Sequence, residues 1–229
     1  MEKTLFPCWS SPPHKLSLKE GEVHLWRVLL DLPVAEMENL SGLLSDDERA
    51  RAKRLLDGEK AKAFIAARGR LRQILASYLK LSPEEVSFAY KPHGKPYLEK
   101  DKDIRFNLSH SGCWALLAVT DGLKTGVDLE RIDKAIDYEK IAARFFSPAE
   151  RTLLAKFPEP RRRRGFYRLW TKKEASLKCL GSGFTLPEEA EDALSKRPLW
   201  CITFPLAKGY VGSLAVEGDV DLLHKWELV

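Results

Sequence analysis

The sequence predicts an α+β protein of two similar halves related by pseudo-two-fold symmetry, on three observations. A helix-start signal occurs twice, a long basic amphipathic helix follows each copy, and a glycine-led apolar run follows each helix. Ser45-Asp46-Asp47-Glu48-Arg49 is echoed by Ser147-Pro148-Ala149-Glu150-Arg151. In each, a serine and a glutamate three residues later can satisfy the free backbone donors of a helix start. The helices give way to Pro83-Glu84-Glu85-Val86 and Pro187-Glu188-Glu189-Ala190, and Gly112 to Val119 parallels Gly209 to Val216 as a buried strand. Four landmarks in one order indicate a duplicated plan, although capping signals and Pro-Glu turns also arise independently.

In chain order, Val23 to Leu30 is β-branched and aromatic enough for a strand. A helix over 46–56 follows the Ser45 cap. Ala61, Phe64, Ile65, Leu71, Ile74, Leu75, Tyr78 and Leu79 recur at helical spacing, placing Arg68, Arg70 and Arg72 on the other face. A second long helix over 161–180 ends at Gly181, which suits a left-handed cap. The division falls between Thr120 and Gly126, giving an N-terminal half of residues 1–123 and a C-terminal half of residues 124–229 that carries the acidic motifs. A ligand cleft between the halves is the expected place for chemistry.

Bulk properties narrow the function classes. A chain of 229 residues with 44% hydrophobic and 31% charged residues can build a core and does not match a disordered composition. Its net charge of +5 comes from 38 basic and 33 acidic residues, a balance too mixed to require a nucleic-acid partner. The longest apolar stretch, Cys113 to Val119, is far short of the roughly 20 residues a membrane span needs. The N-terminus, with Glu2, Lys3, Pro7, Pro12 and Pro13, lacks a signal-peptide core, so a cytoplasmic location is expected. Cys8, Cys113, Cys179 and Cys201 form no CxxC pair, which favours free thiols.

Three segments carry the candidate chemistry. In Gly126-Val127-Asp128-Leu129-Glu130, strand alternation puts Asp128 and Glu130 on one face with Val127 and Leu129 behind them. Paired carboxylates repel unless a cation or proton lies between them, and all-oxygen ligands favour Mg2+ or Mn2+ over Zn2+. A solvated surface pair is the alternative. In Trp170-Thr171-Lys172-Lys173-Glu174-Ala175-Ser176-Leu177-Lys178, Trp170, Glu174 and Lys178 are four apart on one helix face. Glu174 can complete a carboxylate cluster, with Lys173 and Lys178 as positive charge beside it, or it can form a plain surface pair. In Gly94-Lys95-Pro96 and Phe106-Asn107-Leu108-Ser109-His110-Ser111, a turn holds Lys95 for a phosphate, and Ser109 and His110 can bind another phosphate oxygen. No GxSxG elbow or P-loop is present.

Together and in this order, GKP, FNLSHS, GVDLE and WTKKEASLK resemble the Sfp-type 4'-phosphopantetheinyl transferases. The resemblance implies paired α+β halves and a magnesium-dependent transfer of the phosphopantetheine arm of coenzyme A to a serine of an acyl or peptidyl carrier protein, with release of 3',5'-ADP. It implies Asp128, Glu130 and Glu174 as metal ligands. Lys95, His110 and Lys178 become phosphate partners, Ser109 and Pro96 pocket walls, and Arg51 the basic residue near the 3'-phosphate, with Arg68 as its rival. Lys178 is also a candidate to stabilise the leaving oxygen. Glu174 is the candidate general base and Glu130 the alternative. An acidic carrier is expected to meet Arg161 to Arg164, and a monomer is expected, with neither nucleic acid nor membrane as partner. The rival readings are a basic nucleic-acid-binding module and a metal-dependent phosphodiesterase or nuclease.

Overall fold

The structure, a computed structural model, describes residues 8–101, 103–181 and 198–229. The Pro187 landmark lies outside the described residues.

The first half begins with strand β1 (Glu22–Leu29) and helices α1 (Val34–Gly42), α2 (Asp46–Arg54) and α3 (Gly58–Leu79). A 3-10 turn at Pro83–Glu85 leads to a small hairpin of β2 (Phe88–Tyr90) and β3 (Pro96–Leu98), then to β4 (Ile104–Ser111) and β5 (Trp114–Asp121). The second half has β6 (Thr125–Arg131), α4 (Tyr138–Phe145), α5 (Pro148–Ala155), α6 (Glu159–Leu180), β7 (Leu199–Pro205) and β8 (Tyr210–Glu217). A last strand, β9 (Leu222–Leu228), runs parallel to β1. The two main sheets have the orders β4-β5-β1-β9 and β6-β8-β7. The first sheet therefore includes a strand from beyond residue 124.

The halves are similar in detail. Ser45 and Ser147 both start helices with capping boxes, and α3 and α6 are each 22 residues long with a left-handed residue, Lys80 or Gly181, at the C-cap. Each capping glutamate also accepts an ion pair from the long helix of its own half. Glu48 Oε2 meets Arg72 Nε at 2.7 Å and Glu150 Oε2 meets Lys173 Nζ at 2.7 Å, across 24 and 23 residues respectively. The same position of the same motif, the capping glutamate, thus fastens a short helix to a long one in both halves.

This pairing corrects the expectation that α3 presents a basic outer face. Arg68, Arg70 and Arg72 are all buried. Arg72 is held by Glu48 and by the carbonyls of Pro83 and Val86, Arg68 Nε lies 3.3 Å from Glu48, and Arg70 pairs with Glu36. A buried guanidinium without such partners is expensive, so the carboxylates drawn in from α1 and α2 are what permit the burial. The nucleic-acid reading loses these arginines as a binding surface.

One core lies between α3 and the first sheet, around Trp26, Leu71, Leu75 and Phe106. A second joins the two sheets, with Leu25, Leu116 and Ala118 against Val127, Leu129 and Leu214. Helix α6 covers the other face of the second sheet through Ala175 and Cys179. Its approach is close enough that a methyl group at Gly126 would run into the carbonyl of Ala175 and the backbone of Cys179. The glycine of the GVDLE segment is thus a packing requirement. Gly126→Ala is expected to destabilise the chain by at least about 2 kcal/mol, because overfilled cores cost roughly 1–3 kcal/mol or more. Chemical denaturation would measure it, and a stability equal to wild type would contradict this packing.

No helix among the described residues is long and apolar enough to cross a membrane.

Candidate active site

Strand β6 is the edge of the second sheet, and its outward backbone donors are satisfied by side chains. Asn107 Oδ1, Ser109 Oγ and Ser111 Oγ on β4 accept from the N–H groups of Val127, Leu129 and Arg131 at 2.8, 3.3 and 3.0 Å. Alternate residues of one strand face one way, so the Asn-x-Ser-x-Ser pattern of β4 reaches every second donor of β6. This ladder seals the seam between the sheets, where an open strand edge would leave polar groups unpaired.

The serines of the ladder also orient the acidic pair. Ser109 Oγ donates to Asp128 Oδ1 at 3.0 Å, and Ser111 Oγ donates to Glu130 Oε2 at 3.2 Å. Helix α6 lies over this face and brings Lys178, whose Nζ donates to Asp128 Oδ1 at 2.5 Å and to Ser109 Oγ at 3.3 Å. Glu174 is one turn earlier on the same helix face, where the Asp128 charge acts on it.

The electrostatics of the group favour a cation. Asp128 is 4% exposed, and its Oδ2 is buried with no hydrogen-bond partner. Burial pushes the Glu130 carboxyl up to about 7, with the Asp128 charge adding to the shift. Burial likewise raises Glu174 to about 7, against the pull of Lys178 and with a further push from Asp128. The carboxylates sense one another, and one lysine cannot balance all three. An oxygen-ligated divalent ion such as Mg2+ fits this donor set, with Asp128 Oδ2 the atom that most lacks a positive partner. Among the described residues, the three groups whose ligand atoms all lie within 4.8 Å of one another are Glu22, His24 and His224.

A stability signature follows. With raised folded pKa values, Glu130 and Glu174 bind more protons folded than unfolded between the ordinary carboxylate range and about 7, so their contribution falls as pH rises through that window. Without divalent ions, the fall in Tm from pH 5 to 7.5 is therefore expected to be smaller in a Glu130→Gln, Glu174→Gln variant than in the parent. The difference between the two chains is the readout, since His24, lowered to about 4 chiefly by burial, contributes with the opposite sign in both. An identical pH slope would contradict the assignment.

Of the other sequence-derived candidates, Lys95, Pro96 and His110 are distributed along β6, and Arg51 is on α2. Lys95 Nζ donates to the carbonyls of Thr125 at 2.8 Å and Lys178 at 2.6 Å, so it ties the β2–β3 hairpin to the start of β6 and the end of α6. Burial lowers its pKa to about 8. Two of its three ammonium protons are used in this way. Pro96 lines the same small basic cavity of about 150 Å³, beside Lys91, Arg105 and Lys124. His110 is at the opposite end. It lines an open cavity of about 910 Å³ with Ser111, Arg131 and Tyr210, and partial burial together with the Lys178 charge lowers its pKa. Arg51 is exposed on α2, its guanidinium 5.3 Å from the centre of the Phe64 ring.

Lys173 does not join the group. Next to Glu174 in sequence, it points inward to Glu150 and lies 6.0 Å from the centre of the Phe146 ring. Adjacent helical residues are about 100° apart, and the position filled by Arg72 in the first half is occupied here by Lys173. Ser109, expected as a pocket wall, orients Asp128. Asn107 and Ser111 were not singled out from sequence, although their period-two spacing with Ser109 on a strand was a legible signal.

Fold and site together define an α+β protein of two main sheets with an electron-rich carboxylate centre at the seam between its halves. The chain belongs to the 4'-phosphopantetheinyl transferase superfamily, in its Sfp-type branch, and so to a family of enzymes. The superfamily model matches residues 124–198, and a model described as the N-terminal part of 4'-phosphopantetheinyl transferases matches residues 33–121. The chain is 43% identical over 190 residues to 4'-phosphopantetheinyl transferase HetI of Nostoc sp., covering 82% of this chain and 80% of the relative. It is 30% identical to 4'-phosphopantetheinyl transferase Sfp of Bacillus subtilis, over 71% of this chain and 72% of the relative. A mouse protein, L-aminoadipate-semialdehyde dehydrogenase-phosphopantetheinyl transferase, is 26% identical over 61% of this chain and 49% of its own length.

Proposed function

We propose that this protein transfers the 4'-phosphopantetheine arm of coenzyme A to a serine hydroxyl of an acyl or peptidyl carrier protein, with Mg2+ held by Asp128, Glu130 and Glu174. The observation that carries the reading is the buried, unpartnered Asp128 Oδ2 at the point where the β6 carboxylates face the α6 glutamate and lysine. Bound there, a divalent cation supplies positive charge to the coenzyme A diphosphate.

The remaining roles belong to side chains. The carrier serine oxygen bonds to the phosphorus that bears the pantetheine arm, and the bond from that phosphorus to the bridging diphosphate oxygen breaks. The Glu174 carboxylate takes the serine proton, a task suited to a carboxyl held near neutral pH; Glu130 is the alternative. Lys178 stabilises the charge on the leaving 3',5'-ADP, and Ser109 keeps Asp128 oriented throughout. Lys95 retains one proton for a phosphate oxygen. His110 faces the open cavity, and Arg51 is the exposed cation for the 3'-phosphate. The chain works as a cytoplasmic monomer.

Incubation with coenzyme A, Mg2+ and an apo-carrier tests the proposal by mass spectrometry. The carrier should gain one phosphopantetheine unit, and the gain should vanish with excess chelator. Coenzyme A hydrolysis with no modified carrier would favour the phosphodiesterase reading.

The arginine run serves carrier docking. Arg162 pairs with Glu159, and Arg163 binds the carbonyls of Asp133 and Ile136, while Arg161 and Arg164 are exposed. Positive charge in the first turn of a helix opposes the macrodipole, a cost that an acidic partner would offset. Arg161→Ser with Arg164→Ser is expected to raise the KM for carrier several-fold and leave the KM for coenzyme A unchanged, measured by steady-state kinetics. Equal effects on both would contradict docking.

A further inference from the structure

We propose that Glu22, His24 and His224 form a second metal site, for a borderline divalent transition ion such as Zn2+, which fastens β9 to β1. The sheet register assembles the three. Glu22 and His24 are two apart on β1 and so share a face, and His224 is directly opposite His24 on the parallel strand β9. One ligand atom from each lies within 4.8 Å of the other two. Tetrahedral coordination at a metal–ligand distance of ~2.1 Å sets ligands about 3.4 Å apart, so closure needs only small side-chain shifts.

An independent feature points to an ion. His24 is 1% exposed, yet its Nε2 has no hydrogen-bond partner. The closest acidic oxygen, Glu22 Oε2, is 3.5 Å away, and it already accepts the N–H of Lys19 at 3.1 Å. Burial and the nearby His224 keep His24 neutral at pH 7. Its Nδ1 is 2.8 Å from the Tyr78 hydroxyl, which also accepts from Trp26 Nε1 at 3.1 Å. With Nδ1–H given to Tyr78, Nε2 turns its lone pair toward Glu22 and His224, the arrangement by which an outer hydrogen bond sets a metal-binding tautomer. Trp226 fixes both rings, 4.3 Å from His24 and stacked on His224 at 5.3 Å between ring centres.

Two imidazoles and a carboxylate select a different ion from three carboxylates. The site is also on the α3-covered face of the first sheet, since His24 and Trp26 both contact Tyr78 of α3. Ser109 and Ser111, which hold Asp128 and Glu130, point from the opposite face, toward β6.

Cobalt(II) titration of the full-length, metal-stripped Asp128→Asn chain tests the site, because that background weakens the carboxylate centre. One equivalent is expected to produce a d–d absorption spectrum and raise Tm, and both should be lost in Asp128→Asn, His224→Ala. Absence of the spectrum, or its survival in the double variant, would overturn the proposal. In the unmutated chain, Zn2+ is expected to shift the ring-nitrogen NMR resonances of His24 and His224. Unmoved resonances at saturating Zn2+ would overturn it independently of how any variant folds.

Discussion

Asp128→Asn is expected to reduce phosphopantetheine transfer by at least about 100-fold while the chain stays folded, the scale seen when one electrostatic group is removed from a reacting centre. Asparagine retains an oxygen for Ser109 and Lys178, so the local hydrogen bonds can persist. What disappears is the charge on a buried group whose second oxygen has no partner. The Lys178 side chain is 32% exposed, so water can solvate its charge once the aspartate is neutral. The change should therefore fall on transfer and not on folding. Circular dichroism and a melting curve would show the retained fold, and mass spectrometry of the carrier would show the lost reaction. Wild-type turnover of this variant with Mg2+ would remove Asp128 from the proposed centre.

Glu48→Ala is expected to cause the largest loss of stability, about 3–5 kcal/mol, because breaking a buried ion pair leaves an uncompensated charge behind. Glu48 is 2% exposed and faces two buried guanidinium groups, Arg72 at 2.7 Å and Arg68 at 3.3 Å. Its loss also removes half of the α2 capping box, since Glu48 Oε2 accepts from the Ser45 N–H. For a chain of this size, Tm should fall by roughly 10 °C. The counterpart Glu150→Ala should cost less. The Glu150 side chain is 25% exposed and, besides the Ser147 N–H of its own capping box, meets one cation, Lys173, where Glu48 meets two. Melting both variants tests the comparison, and equal losses would contradict it.

Much of the fold was legible because its signals are local. The capping boxes at Ser45 and Ser147, the left-handed stop at Gly181 and the alternation that aims Asp128 and Glu130 together all depend on residues a few positions apart. The site was legible to the same depth. Glu174 and Lys178 follow from helical spacing, but which strand they face does not. Lys173 was misread because a basic residue beside Glu174 is ambiguous until α5 delivers Glu150 to it.

The sequence by itself determined where the helices start and stop, which residues alternate on β6, and that the chain is built on a duplicated plan. Helix and strand geometry act over a few residues, so composition and spacing suffice for these. Only the tertiary structure decided that the α3 arginines turn inward, that β9 returns beside β1, and that the serines of β4 aim the carboxylates of β6. Each depends on a partner 19 or more residues away, as with Ser109 and Asp128 or Arg72 and Glu48. Burial then selects the partner, because a desolvated charge or donor is stable only where its complement already stands.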